Sequence, residues 1–114
     1  MNKVRITVLK TTFDKELAKE YGADGLTACP MMEKGQTFCA DYAKPEGFCA
    51  EAWEARYQYR FALAHGASKE VFYYGDWRRK PGVAICSCND GLRPVIFKLE
   101  ATYEQGEISY TPVR

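Results

Sequence analysis

Residues 83–103 read Val83-Ala-Ile-Cys-Ser-Cys-Asn-Asp-Gly-Leu-Arg-Pro-Val-Ile-Phe-Lys-Leu-Glu-Ala-Thr-Tyr103. Two runs rich in β-branched and apolar residues flank Asn89-Asp90-Gly91, a tripeptide suited to a hairpin turn. The spacing predicts a strand over Val83–Cys88 and a long strand over Leu92–Tyr103, with Val95, Phe97 and Leu99 on one face. Pro94 has no N–H to donate, so it predicts an edge position or a bulge. An antiparallel sheet follows from this hairpin.

The neighbouring segments supply what covers that sheet. Cys49 to His65 is the best helix in the sequence: Ala50, Trp53, Tyr57, Phe61 and Ala64 fall on one stripe, and Gly66 suits the position just past a helix end. Lys3 to Leu9 alternates, with Val4, Ile6 and Val8 on one face. Thr11 and Asp14 resemble a capping box ahead of a short helix that carries Phe13, Leu17 and Tyr21 and stops at Gly22. Ala23 to Lys34 reads as a loop, Gln36 to Tyr42 as a strand, and Lys44-Pro45-Glu46-Gly47 as a turn. Ser68 begins a shorter helix through Tyr74, Trp77 to Gly82 is irregular, and Gln105-Gly106 turns into a last strand over Ile108–Val113. The expectation is one α+β domain over residues 1–114: a small, mainly antiparallel sheet, one principal helix at about 49–65, and one or two short helices.

Composition narrows the function. The chain has 114 residues, 46% of them hydrophobic, 14% aromatic and 27% charged, enough for one core. Sixteen Lys and Arg oppose fifteen Asp and Glu, a net charge of +1. A nucleic-acid binder is normally strongly basic, so no such partner is expected. No apolar run approaches the roughly 20 residues of a membrane helix, and the alternating N-terminus lacks a signal-peptide core. A cytoplasmic protein is expected. Trp77-Arg78-Arg79-Lys80 can contact an anion, but at this net charge it reads as a solvated loop.

The five cysteines are an odd number, so complete internal pairing is impossible. Without an export signal, free thiols, a metal site or redox chemistry are expected before a disulfide framework. The single histidine, His65, sits near the predicted end of the long helix and excludes a His-rich zinc centre within one chain. Cys86 and Cys88 are two apart in a strand and share a face; they can share a metal, act as a redox pair, or pack as small apolar groups. Cys49 begins the long helix, where free N–H groups and the dipole favour a thiolate; the alternative is an inert thiol beneath Phe48. Cys29 precedes Pro30 in a loop, a pairing common at iron–sulfur sites. Cys39 falls in the second predicted strand and reads as a core residue. Arg93 can hold an anion, offset a thiolate, or pair with Asp90 at the turn. If Arg93 and Cys49 face one pocket, the guanidinium stabilises the thiolate. Cys49, Arg93 and Asp90 are the catalytic candidates.

The segments Thr27-Ala28-Cys29-Pro30, Lys44-Pro45-Glu46-Gly47-Phe48-Cys49 with Ala52-Trp53, and Cys88-Asn89-Asp90-Gly91-Leu92-Arg93-Pro94-Val95-Ile96-Phe97-Lys98, with the opening Lys3 to Val8, carry a resemblance. The chain, to about Thr102, resembles a family of small conserved hypothetical proteins of anaerobic bacteria and archaea, which has no established activity. The resemblance implies an oxygen-poor cytoplasm and singles out Cys29, Cys49 and Cys88. Cys39 and Cys86 lie outside its motifs.

These readings lead to a small metalloprotein in which Cys29, Cys49 and Cys88 ligate an iron–sulfur cluster of the [4Fe–4S] type, with the fourth iron left for Cys86, Cys39, another chain or an exogenous ligand, and zinc as a variant. The cluster would serve redox or Lewis-acid chemistry on a small molecule. The alternatives are a metal-free thiol enzyme or redox protein using Cys49, and a non-catalytic homo-oligomeric binding module built on the sixteen aromatic residues.

Overall fold

The computed structural model describes residues 1–41, 43–67, 79–80 and 82–106. The elements run β1 (Asn2–Thr11), α1 (Lys15–Tyr21), β2 (Thr37–Ala40), α2 (Ala50–Ala64), β3 (Val83–Ser87) and β4 (Val95–Gln105). The four strands form one antiparallel sheet in the order β2-β1-β4-β3, and the fold is α+β as the sequence predicts. The expected helix over 68–74, the Trp77-Arg78 part of the basic stretch and the last strand over 108–113 lie outside the described residues.

The pleat sorts side chains into rows across the sheet. Phe38, Ile6, Leu99 and Ala84 make one row, and Val8, Phe97 and Cys86 the next. Together with Val4 and Val95 they form the floor of the core. Burying each large side chain contributes roughly 1.5–3 kcal/mol. The opposite face carries the row Cys39, Arg5, Glu100 and Val83, where Arg5 and Lys98 lie 3.7 and 3.3 Å from the Glu100 carboxylate.

α2 covers the core face, packing on β1, β3 and β4. It starts and stops where the sequence predicts, with Cys49 as N-cap and His65 as C-cap. Gly66 at φ 93° allows the Gly66 N–H to donate to the Leu63 carbonyl and the Ala67 N–H to reach Ala62. This is a Schellman motif, and the left-handed backbone is the reason for glycine there.

The buried stripe of α2 differs from the expected one. Ala52, Arg56, Arg60, Leu63 and Ala64 are buried, whereas Ala50 is exposed and Tyr57 and Phe61 are 38% and 45% exposed. Phe48, just ahead of the helix, fills the space between Phe38, Trp53 and Phe97. From the helix, Ala52, Leu63 and Ala64 join the core.

α1 is capped by Asp14, whose side chain accepts from Leu17 N at 3.0 Å. Thr11, expected to begin the cap, ends β1 instead. The expected stripe of Phe13, Leu17 and Tyr21 is not what α1 buries: Ala18 is, and Tyr21 is 70% exposed. The helix ends as Gly22 turns extended (φ −88°, ψ 160°), and glycine suits that position because a Cβ there would meet the Ala18 carbonyl oxygen at 2.8 Å.

The hairpin loop is longer than Asn89-Asp90-Gly91. Asp90 accepts from Leu92 N at 2.9 Å in an Asx turn, and β4 begins only at Val95. Pro94 sits in this loop and not on an edge strand, since β4 is interior. Its carbonyl accepts from Thr12 N, while Leu92 O accepts from Asp14 N, so the loop lies against the β1–α1 connection.

Candidate thiol site

Phe97 organises the cysteine-bearing segments. Its ring is fully buried, and its ladder partner on β3 is Cys86. Two residues along the same face, Val95 N donates to Cys88 Sγ at 3.4 Å while Cys88 N donates to Val95 O. The ring of Phe48, the chain neighbour of Cys49, lies 5.5 Å from that of Phe97. The Pro45–Phe48 turn closes with Phe48 N on Pro45 O, which sets Phe48 inward and Cys49 at the start of α2.

Cys29 is tied to the same region by Arg93. The guanidinium donates from Nη1 to Thr27 O at 3.3 Å, and its Nε lies 3.6 Å from Asp90 Oδ2. Arg93 thus bridges the loop carrying Cys29 to the hairpin carrying Cys88. Its contacts are with Thr27 and Asp90; no contact between Arg93 and Cys49 joins the two into one pocket among the described residues. Asp90 thus accepts from Leu92 N through Oδ1 and faces the Arg93 guanidinium through Oδ2.

Cys29, Cys49, Cys86 and Cys88 are all half-buried and pack against the one core. Cys39 is the exception. Phe38 and Ala40 point inward from β2, so the alternation turns Cys39 outward, exposed and opposite Arg5, contrary to its reading as a core residue. Among the described residues, no three His, Cys, Asp or Glu side chains stand close enough together to hold a metal ion. The donor chemistry suits a soft metal or a cluster, but ligation requires the thiols to turn toward one another.

Two features escaped the sequence reading. Lys44 Nζ donates to Phe48 O at 2.8 Å, placing an ammonium beside the start of α2. Arg56 and Arg60 are buried on the same helix. Their spacing with Ala52 and Ala64, in steps of four, was the available signal.

No protein-family model, no curated protein and no solved structure matches this chain. No helix among the described residues is long and apolar enough to cross a membrane.

Proposed function

We propose that this protein is a cysteine-ligated metalloprotein, with Cys29, Cys49 and Cys88 as ligands of an iron–sulfur cluster of the [4Fe–4S] type and Cys86 as the available fourth. The observation that supports this reading is that four half-buried thiols, from three distant segments, pack against the one core. Inert core cysteines are usually fully buried. Cys39 is not a fourth ligand, because it lies across the sheet. When bound, such a cluster supplies electron transfer, or a Lewis-acidic iron if one site stays open to a small molecule. The chain's own part is to hold the Cys29 loop and the Cys88 hairpin together through Arg93. Zinc is the variant occupant, distinguished by elemental content.

The test is a set of single Cys→Ser variants loaded under anaerobic conditions. Ser at Cys29, Cys49 or Cys88 should cut retained iron severalfold, and Ser at Cys39 should leave it unchanged. Equal iron in all four variants would contradict the assignment.

A second reading has its own observation. Cys49 N-caps a 15-residue helix without using its thiol in the cap, and the Lys44 ammonium bonds the adjacent carbonyl. A cationic helix start favours a nucleophilic thiolate. Faster alkylation of Cys49 than of Cys29 and Cys88 in the metal-free protein supports this reading, and uniform slow labelling counts against it.

A further inference from the structure

The loop over residues 22–26 folds back on α1 and leaves a cleft of about 260 Å³ beside the helix. Two glycines shape it. Gly22 has no Cβ, and one there would stand 3.1 Å from Leu26 Cδ2, so Leu26 can close on the helix end. Gly25, at φ 79°, turns the chain so that Leu26 N donates to Ala23 O at 3.2 Å. The hairpin loop steadies both borders of the cleft. Thr12 N and Asp14 N donate to Pro94 O and Leu92 O, which pins Phe13 between them, and Arg93 holds the carbonyl of Thr27, next to Leu26. Phe13, Ala18 and Leu26 supply apolar lining. Lys15 and Lys19, one turn apart on α1, and Asp24 on the loop supply charges of both signs. Among the described residues, none of these three side chains makes an ion pair or hydrogen bond, even with one another. The Phe13 ring likewise has no ring partner there.

We propose that this cleft binds a free α-amino acid with an apolar side chain. Lys15 and Lys19 take its carboxylate, Asp24 takes its ammonium, and Phe13 and Leu26 receive its side chain. Small-molecule sites are concavities in which apolar walls carry the contact and a few polar groups fix orientation. Unpaired charges of both signs in one cleft match a ligand that carries both, whereas a simple anion would face the Asp24 carboxylate and a simple amine the two lysines. The three charged side chains are exposed, so water competes for them and the affinity is modest. This inference stands on the α1 cleft and is independent of whether the thiols bind metal.

The experiment titrates the full 114-residue chain with L-phenylalanine and, separately, with L-leucine, following the backbone amide resonances of Ala23, Asp24, Gly25 and Leu26. At least one of the two should shift these resonances saturably. Its analogue without the ammonium (3-phenylpropanoate or 4-methylpentanoate) and its analogue without the carboxylate (phenethylamine or isopentylamine) should each bind at least about tenfold more weakly, since each forfeits a charge-assisted contact. Lys19→Gln should weaken the amino acid severalfold. Asp24→Asn should weaken the amino acid as well, yet bind the ammonium-free analogue no less tightly than the parent does. All three charged side chains are exposed, so both variants should keep the parent Tm. The proposal is overturned if neither amino acid shifts the loop saturably, if the ammonium-free analogue binds as tightly as the amino acid, or if Asp24→Asn leaves amino-acid binding unchanged.

Discussion

Arg60 occupies a helix position whose side chain is shut off from solvent, yet it carries a charge. Three rings and the Asp41 carbonyl surround its guanidinium, so its stem packs as an apolar group and its head joins α2 to the end of β2. Arg60→Ala should lower unfolding stability by roughly 2–4 kcal/mol, the range for deleting a large buried side chain. Arg60→Met, which keeps the stem, should lose less. Urea denaturation checks both, and equal stability of Arg60→Ala and the parent would contradict this packing. Lys3 marks a weaker effect on the surface. The hydrogen bond to Glu104, and then that carboxylate's charge, raise its ammonium pKa above the ordinary 10.5. A raised pKa favours the protonated folded form, so this stabilisation is complete below 10.5 and fades as pH rises through the folded value. Glu104→Gln should return the Lys3 titration, followed by NMR, toward its ordinary value.

At the scale of elements, the sequence was readable where one periodicity met one clear stop. β1 shows Val4, Ile6 and Val8 buried as their alternation demands, and α2 begins and ends as expected because Cys49 precedes a good helix and Gly66 closes a Schellman motif. What periodicity did not show was which stripe of α2 faces the sheet. Trp53, Tyr57 and Phe61 are the more hydrophobic row, but Phe48 claims the space that they would fill. The loop after Cys88 is longer than the turn tripeptide predicts because Asp90 takes the Leu92 N–H, and Leu92 and Pro94 give their carbonyls to the β1–α1 connection. Of the candidate site, the strand position of Cys86 fits its predicted face, whereas the Arg93 bridge to Thr27 spans residues far apart in sequence and has no local signal. Two predictions belong here. Gly66→Ala should cost about 1 kcal/mol, since the left-handed conformation penalises a Cβ, and thermal unfolding would show it. Arg93→Ala should speed hydrogen exchange at Val95 and Leu92 and increase alkylation of Cys29, because the loop and hairpin lose their tether. Unchanged rates at both would place the tether elsewhere.

Across the whole molecule, the sheet separates two chemistries. One face buries the rows around Ile6 and Phe97 beneath α2, and Cys29, Cys49, Cys86 and Cys88 pack, half-buried, against that core. The other is salt-bridged around Glu100 and carries Cys39 alone among the cysteines. Phe97 joins core and thiol site, so Phe97→Ala should cost roughly 3–5 kcal/mol and loosen the cysteine segments together. The central claim is that the thiols of the helix-covered face form one metal centre. The most direct test is anaerobic reconstitution of the parent protein with iron and sulfide, followed by metal and acid-labile sulfide analysis of the desalted chain. The account predicts a coloured protein retaining about four iron and about four sulfide per cluster. A colourless protein that retains neither, with all four thiols still free to alkylate, would contradict it.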